Sequence, residues 1–211
     1  MPSPATPVDI AAAIAQRDRS FRPVIALVGP PPLRRRAAPV GDRFPALVSS
    51  ITSQLLATKA ADTIHRRVVD VCGGEVTVAS VLGAGAEQLK GAGLNRTKAQ
   101  AMVDLAQDVL EQRVRLDRHG RMSDDEIVRD VASVRGIGPW TAQMYLIFTM
   151  GRRDVWPAGD FGVRNGWSAL HGLDEIISES QLRLDGDRFE GVRTAVAWYC
   201  WRAVDLQRQS N

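Results

Sequence analysis

The chain has 211 residues, 45% of them hydrophobic, and a formal net charge of +3. That length allows one domain or two lobes sharing one cleft, and no run of about 18 apolar residues is present to span a membrane. Two cysteines, Cys72 and Cys200, are too few for a disulfide framework or a four-cysteine iron–sulfur or zinc site, and His65, His119 and His171 show no ligand spacing.

The basic residues are mostly arginine, which fits a nucleic-acid partner without identifying one. The opening MPSPATPVDIAAAIAQRDR lacks the basic-then-apolar layout of a secretion signal, so a cytosolic protein is expected.

Residues 1–43 read as proline-rich and irregular, with one short helix near Ile10–Gln16. The Arg34-Arg35-Arg36 run there is basic and unassigned. Residues 44–72 read as two helices. Leu47, Ile51 and Leu55, then Ile64, Val68 and Val71, fall at helical spacing, and Gly73-Gly74 stops the run. A short helix is expected over Val78–Leu82 and a longer one over Lys98–Val114, with Met102, Leu105 and Val109 on one face.

Ser123 and Glu126 form a capping box for a helix carrying Ile127, Val128, Val131 and Val134. Thr141–Met150 reads as a central helix, apolar on all sides. A turn at VWPAGD, a short helix at GVRNGWSALHG and a terminal helix from about Phe189 to Gln207 complete the chain. No series of alternating strands is visible, so the fold class is all-α.

The stretch VRGIGPWTA (Val134–Ala142) interrupts this helical region. Gly136 and Gly138 allow positive φ and close backbone approach, and Pro139 suits the first turn of a helix. The N–H groups of Gly138, Trp140 and Thr141 would then face an anion such as a DNA phosphate. Spacing alone favours an ordinary glycine turn. A dinucleotide loop lacks its third glycine and its preceding strand.

The same residues resemble the helix-hairpin-helix of the HhH-GPD superfamily of DNA glycosylases. Further matches follow in order: FPALVSSITSQLLATKAADTI, AGLNRTKAQAMVDLA, RMSDDEIVRDVASV, VWPAGDFGVRNGW and RTAVAWYCWR, covering about residues 40–205. The branch most resembled is 3-methyladenine DNA glycosylase II, in the compact form without an N-terminal β-domain.

The resemblance implies two helical lobes with the active-site cleft between them. Residues 44–150, with the hairpin at 134–140, would form a central barrel lobe, and the chain ends, 1–43 and 151–211, the other. It implies a monomeric enzyme of the bacterial nucleoid that acts on double-stranded DNA and hydrolyses the glycosidic bond of alkylated bases. No cofactor is required. A non-catalytic helix-hairpin-helix damage sensor, or a glycosylase that also nicks the strand, is the rival reading.

Asp160, after Pro157-Ala158-Gly159 and before a helix, reads by itself as an N-cap. The resemblance makes it the catalytic carboxylate, and the two readings are compatible, because a helix N-terminus keeps a carboxylate ionised. Asp154 is expected to pair with Arg152 or Arg153 at the surface. Trp140 stands where strand-nicking relatives carry a Schiff-base lysine, which implies a monofunctional enzyme. An indole face also suits a cationic base.

By the same resemblance Trp201 is a second pocket aromatic. Met144 lines the pocket where the bacterial enzyme with the β-domain has tyrosine. Trp198 and Tyr199 read as packing. Gln54 and Leu55 align with the intercalating loop, with Leu55 as wedge, although Leu55 also fits a core helix position. Gly136, Gly138 and Thr141 would meet the phosphate, and Lys59, Arg96 and Lys98 are candidate phosphate contacts. The backbone carbonyls of Ala132, Val134 and Ile137 would hold a Na+ or K+ ion.

Overall fold

A computed structural model describes residues 6–33, 36–56 and 58–210. Arg34 and Arg35 of the basic run lie outside the described residues. Among those described there are eleven α-helices, three short 3-10 turns and no strand. The all-α reading holds.

The chain divides into two compact units, one from residues 1–35 with 151–211, the other from 36–150. The first boundary falls ahead of residue 43. Residues 36–39 lead straight into a helix that starts at Val40, and the Ala38 N–H donates to Thr149 O at 2.8 Å, tying this stretch to the second unit.

In the unit built from the chain ends, the proline-rich opening is largely helical, against expectation. Helix α1 spans Pro7–Arg17, a 3-10 turn covers Arg19–Phe21, and α2 spans Arg22–Val28. Pro7 and Pro23 sit in first turns, where a missing N–H costs nothing, and Thr6 and Asp9 close a capping box. The prolines start helices here.

The rest of this unit is α9 (Phe161–His171), α10 (Glu179–Asp185) and α11 (Arg193–Ser210). Helix α10, capped by Ser178, is too short to carry a periodic signature. The last helix begins later than Phe189, because Gly191 at φ +86 breaks the path out of the preceding 3-10 turn. The core is aromatic. Phe21, Trp167, Phe189 and Tyr199 are all at most 1% exposed, with Phe21 edge-on to Trp167 at 5.8 Å and to Phe189 at 5.7 Å.

Helices α9 and α11 pack closely because Gly166 faces the α11 backbone. A Cβ there would lie 2.0 Å from Cys200 O.

The 36–150 unit holds α3 (Val40–Ser53), α4 (Thr58–Val71), α5 (Val78–Gly91), α6 (Arg96–Leu110), α7 (Asp124–Ala132) and α8 (Pro139–Phe148). Helix α5 runs well past Leu82, with a break at Gly85, φ +68. Leu47, Ile51, Val68, Leu89, Met102, Leu105 and Ile127 are completely buried, each contributing roughly 1.5–3 kcal/mol by leaving water. Two buried polar groups are satisfied. His119 Nδ1 lies 3.0 Å from Tyr145 Oη and its Nε2 2.7 Å from Asp130 Oδ2. Arg43 donates to the carbonyls of Ala38 and Leu116.

Candidate functional site

In the 36–150 unit the hairpin runs from the end of α7 to Gly138, which is the N-cap of α8. Val134 and Ile137 anchor it in the core at 1% and 4% exposure, and the Ile137 N–H donates to the Val134 carbonyl at 3.1 Å. Gly136 takes φ +88, and a Cβ on it would come within 2.9 Å of Ala101 Cβ on α6. Both the conformation and the space demand glycine.

Gly138 does not need positive φ. It sits at φ −95, ψ 173, extended backbone open to any residue, and a Cβ on it would meet nothing within 4 Å. No side chain caps the first turn of α8. Trp140 is half-buried in that turn, Thr141 is buried, and Met144 is buried one turn further on.

The turn after α3 departs from a helical reading. Leu55 has φ +55 and is fully exposed, at 103%. A left-handed leucine stores roughly 1–3 kcal/mol of strain and is held by its surroundings. The core-helix alternative for Leu55 is therefore wrong. Gln54 supplies one restraint, donating from Nε2 to Thr141 Oγ1 at 2.9 Å and to Gly136 O at 3.3 Å.

Lys98 supplies another. Its side chain is buried, not at the phosphate-facing surface as expected, and Nζ donates to Thr52 O at 2.9 Å and Gln54 O at 2.5 Å. Burial lowers its pKa. Lys59 and Arg96 are exposed. The carbonyl-bearing residues Ala132, Val134 and Ile137 all lie in the hairpin and its approach. Among the described residues no cluster of histidine, cysteine or acidic side chains could hold a metal.

In the unit from the chain ends, Asp160 is the N-cap of α9. Two tight turns bring the chain to it: the Ala158 N–H donates to Trp156 O and the Asp160 N–H to Pro157 O, each at 2.9 Å. Its Oδ1 accepts from the Val163 N–H at 2.8 Å and from Trp201 Nε1 at 2.9 Å. Trp201, expected by resemblance as a second pocket aromatic, directs its polar edge at the carboxylate. Gly162 makes the room, since a Cβ there would lie 2.9 Å from Trp201 Cδ1 and 3.1 Å from Asp160 Oδ1. Trp198 is half-buried under Arg202, and Tyr199 is buried with its hydroxyl donating to Gly29 O, so both pack as expected.

Asp154 does not pair with Arg152 or Arg153. It takes a bidentate bond from Arg193, at 2.8 and 2.6 Å, and N–H donation from Gly191 and Arg193. Burial alone would raise the Asp154 carboxyl, but the Arg193 hydrogen bond and charge, with those backbone donors, hold it below the usual carboxylate range.

Thr194 completes the clamp. Its Oγ1 donates to Arg152 O and accepts from the Val155 N–H. The loop that leads to Asp160 is thereby fixed to the start of α11, the helix that carries Trp201. Sequence reasoning missed this clamp, because 39 residues separate Asp154 from Arg193 and no local pattern links them.

The model of the HhH-GPD superfamily of base excision DNA repair proteins matches residues 48–189. DNA-3-methyladenine glycosylase 1 of Schizosaccharomyces pombe is 28% identical over 195 residues, covering 90% of this chain and 84% of that one. The alkylbase DNA glycosidase-like protein mag2 of the same yeast is 26% identical, covering 92% of each chain. The solved structure of Schizosaccharomyces pombe 3-methyladenine DNA glycosylase (Mag1) in complex with abasic DNA superimposes with a TM-score of 0.84 at 26% identity, over 92% of this chain and 95% of that one. With two thirds of its length matched, an all-α fold among the described residues and a capped aspartate after the hairpin, the chain belongs to the HhH-GPD superfamily of base excision DNA repair proteins.

Proposed function

We propose that this protein is a DNA glycosylase that hydrolyses the N-glycosidic bond of alkylated bases, such as 3-methyladenine and 7-methylguanine, in double-stranded DNA. The observation that carries the reading is the Asp160 carboxylate, fixed by the Val163 N–H and the Trp201 indole N–H. The Val163 bond alone would serve a helix cap, and the added indole donor favours a carboxylate placed for chemistry over a non-catalytic binder.

As the bond between C1′ and the base nitrogen breaks, its electron pair leaves with the base and positive charge builds on the sugar. A fixed anion stabilises that charge without reorganising. Water then bonds to C1′, and Asp160 orients it and takes up its proton. A cationic methylpurine leaves as a neutral base, so it needs no acid.

Trp140 offers an indole face to the extruded base, worth about 2 kcal/mol for a desolvated cation. It carries no amine, so no Schiff base to the sugar forms at this position and the product is an abasic site. The uncapped first turn of α8 and the open face of Gly138 suit a backbone phosphate, and Leu55 suits the gap left in the stack. The carbonyls of Ala132, Val134 and Ile137 would offer neutral hard oxygens to a Na+ or K+ ion, which would add positive charge near that phosphate. We take the working form to be a monomer.

The test is to incubate the protein with methylated duplex, measure free base, and look for strand breaks before and after alkali. Base release with breaks only after alkali is expected. Asp160→Asn should bind the duplex and release no base. An Asp160→Asn variant that excises at the normal rate would rule out the mechanism, and breaks without alkali would rule out the monofunctional reading.

A further inference from the structure

The turn at Gln54-Leu55 is braced from one helix. Lys98 is the third residue of α6, its backbone N–H accepted by the Asn95 cap at 2.9 Å. From there its ammonium reaches the end of α3 and donates to Thr52 O and Gln54 O. These carbonyls lie where a helix has run out of its own donors, at the negative end of its dipole. The first two turns of α6 also meet the hairpin, with Thr97 O 3.6 Å and Ala101 Cβ 2.9 Å from the Cβ position of Gly136. Gln54 closes the triangle by donating to Gly136 O and Thr141 Oγ1. Leu55, left-handed and fully exposed, projects from the turn so braced.

We propose that Lys98 is a positioning residue that holds the Gln54-Leu55 turn cocked against the hairpin, so that Leu55 is presented to the base stack before DNA arrives. The proposal rests on the glycosylase reading above and adds a residue to it. Lys98 touches neither base nor phosphate. It donates to one buried and one part-buried carbonyl and keeps α3 from continuing through Leu55, which would fold the wedge back into the helix. A preset wedge lowers the cost of extrusion, and that cost exists only where the lesion is paired and stacked. The effect of Lys98 is therefore confined to duplex substrate.

The experiment measures single-turnover release of 7-methylguanine from a duplex oligonucleotide and from the same strand unpaired. Lys98→Met should slow release from duplex by about tenfold or more, and release from single strand by less than about threefold. Adding Lys98→Met to Leu55→Ala should slow duplex excision by less than about twofold beyond Leu55→Ala alone, because the two act through one element. If Lys98→Met fails to fold, Gln54→Ala, which cuts the exposed side of the brace, should show the same duplex-selective and non-additive loss.

Equal losses on both substrates, additivity with Leu55→Ala, or an unchanged duplex rate would overturn the proposal. A wild-type protein that releases base from neither substrate would refute the glycosylase reading itself, and this one with it.

Discussion

The hydrogen bond from Trp201 to Asp160 gives the sharpest quantitative expectation. Trp201→Phe removes the indole N–H and keeps most of the ring. Asp160 Oδ1 then loses the indole donor and keeps the Val163 N–H. A hydrogen bond to a charged group contributes about 1.5–3 kcal/mol, and each 1.4 kcal/mol of lost transition-state stabilisation is about tenfold in rate. Because Asp160 and Trp201 are each only half-buried, the lower end applies, about tenfold in single-turnover excision of 7-methylguanine.

Binding to abasic duplex, followed by fluorescence anisotropy, should change by less than about twofold, since that product has no base to stack. Trp201→Ala, which removes ring and donor together, should fall further than Trp201→Phe. Excision by Trp201→Phe at the wild-type rate would show that the bond serves packing alone. A large loss of abasic-DNA affinity would show that the indole touches DNA directly.

Three further outcomes are expected. Gly136→Ala must adopt φ +88 and push against Ala101 Cβ at 2.9 Å, so thermal unfolding should report a loss of about 2–4 kcal/mol. Gly138→Ala meets open space in extended backbone, so it should cost less than about 1 kcal/mol in stability yet, if a phosphate docks there as proposed, weaken binding to abasic duplex. Asp154→Asn loses the charge that Arg193 grips. Its carboxyl pKa is depressed on folding, so its stabilisation is present above the ordinary value of 3.8 and is lost as pH falls below it. The variant should be less stable than wild type at pH 7 by about 2–3 kcal/mol in denaturant titration, and the gap should narrow below pH 4.

Helix class and order were legible because they depend on local signals. Ser123 and Glu126 form the capping box read from the sequence, and Asp160 is the cap expected before α9. The errors share a cause. The proline content of residues 1–43 reads as irregular chain, although a proline such as Pro7 or Pro23 is a good first residue of a helix as well as a bad middle one, and only its position in the element separates the two. Leu55 keeps helical spacing with Leu47 and Ile51, so periodicity left a core position open beside the wedge reading. The turn that expels it depends on Lys98, 43 residues away, and on Gln54 reaching Thr141. Lys98 itself looked like a surface cation, because burial of a lysine depends on carbonyls that no sequence pattern marks.

The two glycines of the hairpin separate what a motif means structurally from what it means for a ligand. Gly136 is required by the protein alone, since its φ and its contact with α6 exclude a side chain whether or not DNA is present. Gly138 is required by neither conformation nor packing. Residues without an internal reason for their identity are where an external partner is read, and at Gly138 the vacancy lies at the uncapped start of a helix, the end that attracts anions. Gly162 stands between these cases, for its missing side chain admits a contact inside the protein, the indole of Trp201 on Asp160, whose purpose is chemical. Substituting these three positions therefore separates folding, DNA binding and bond cleavage: Gly136 should register in stability, Gly138 in affinity and Gly162 in excision rate.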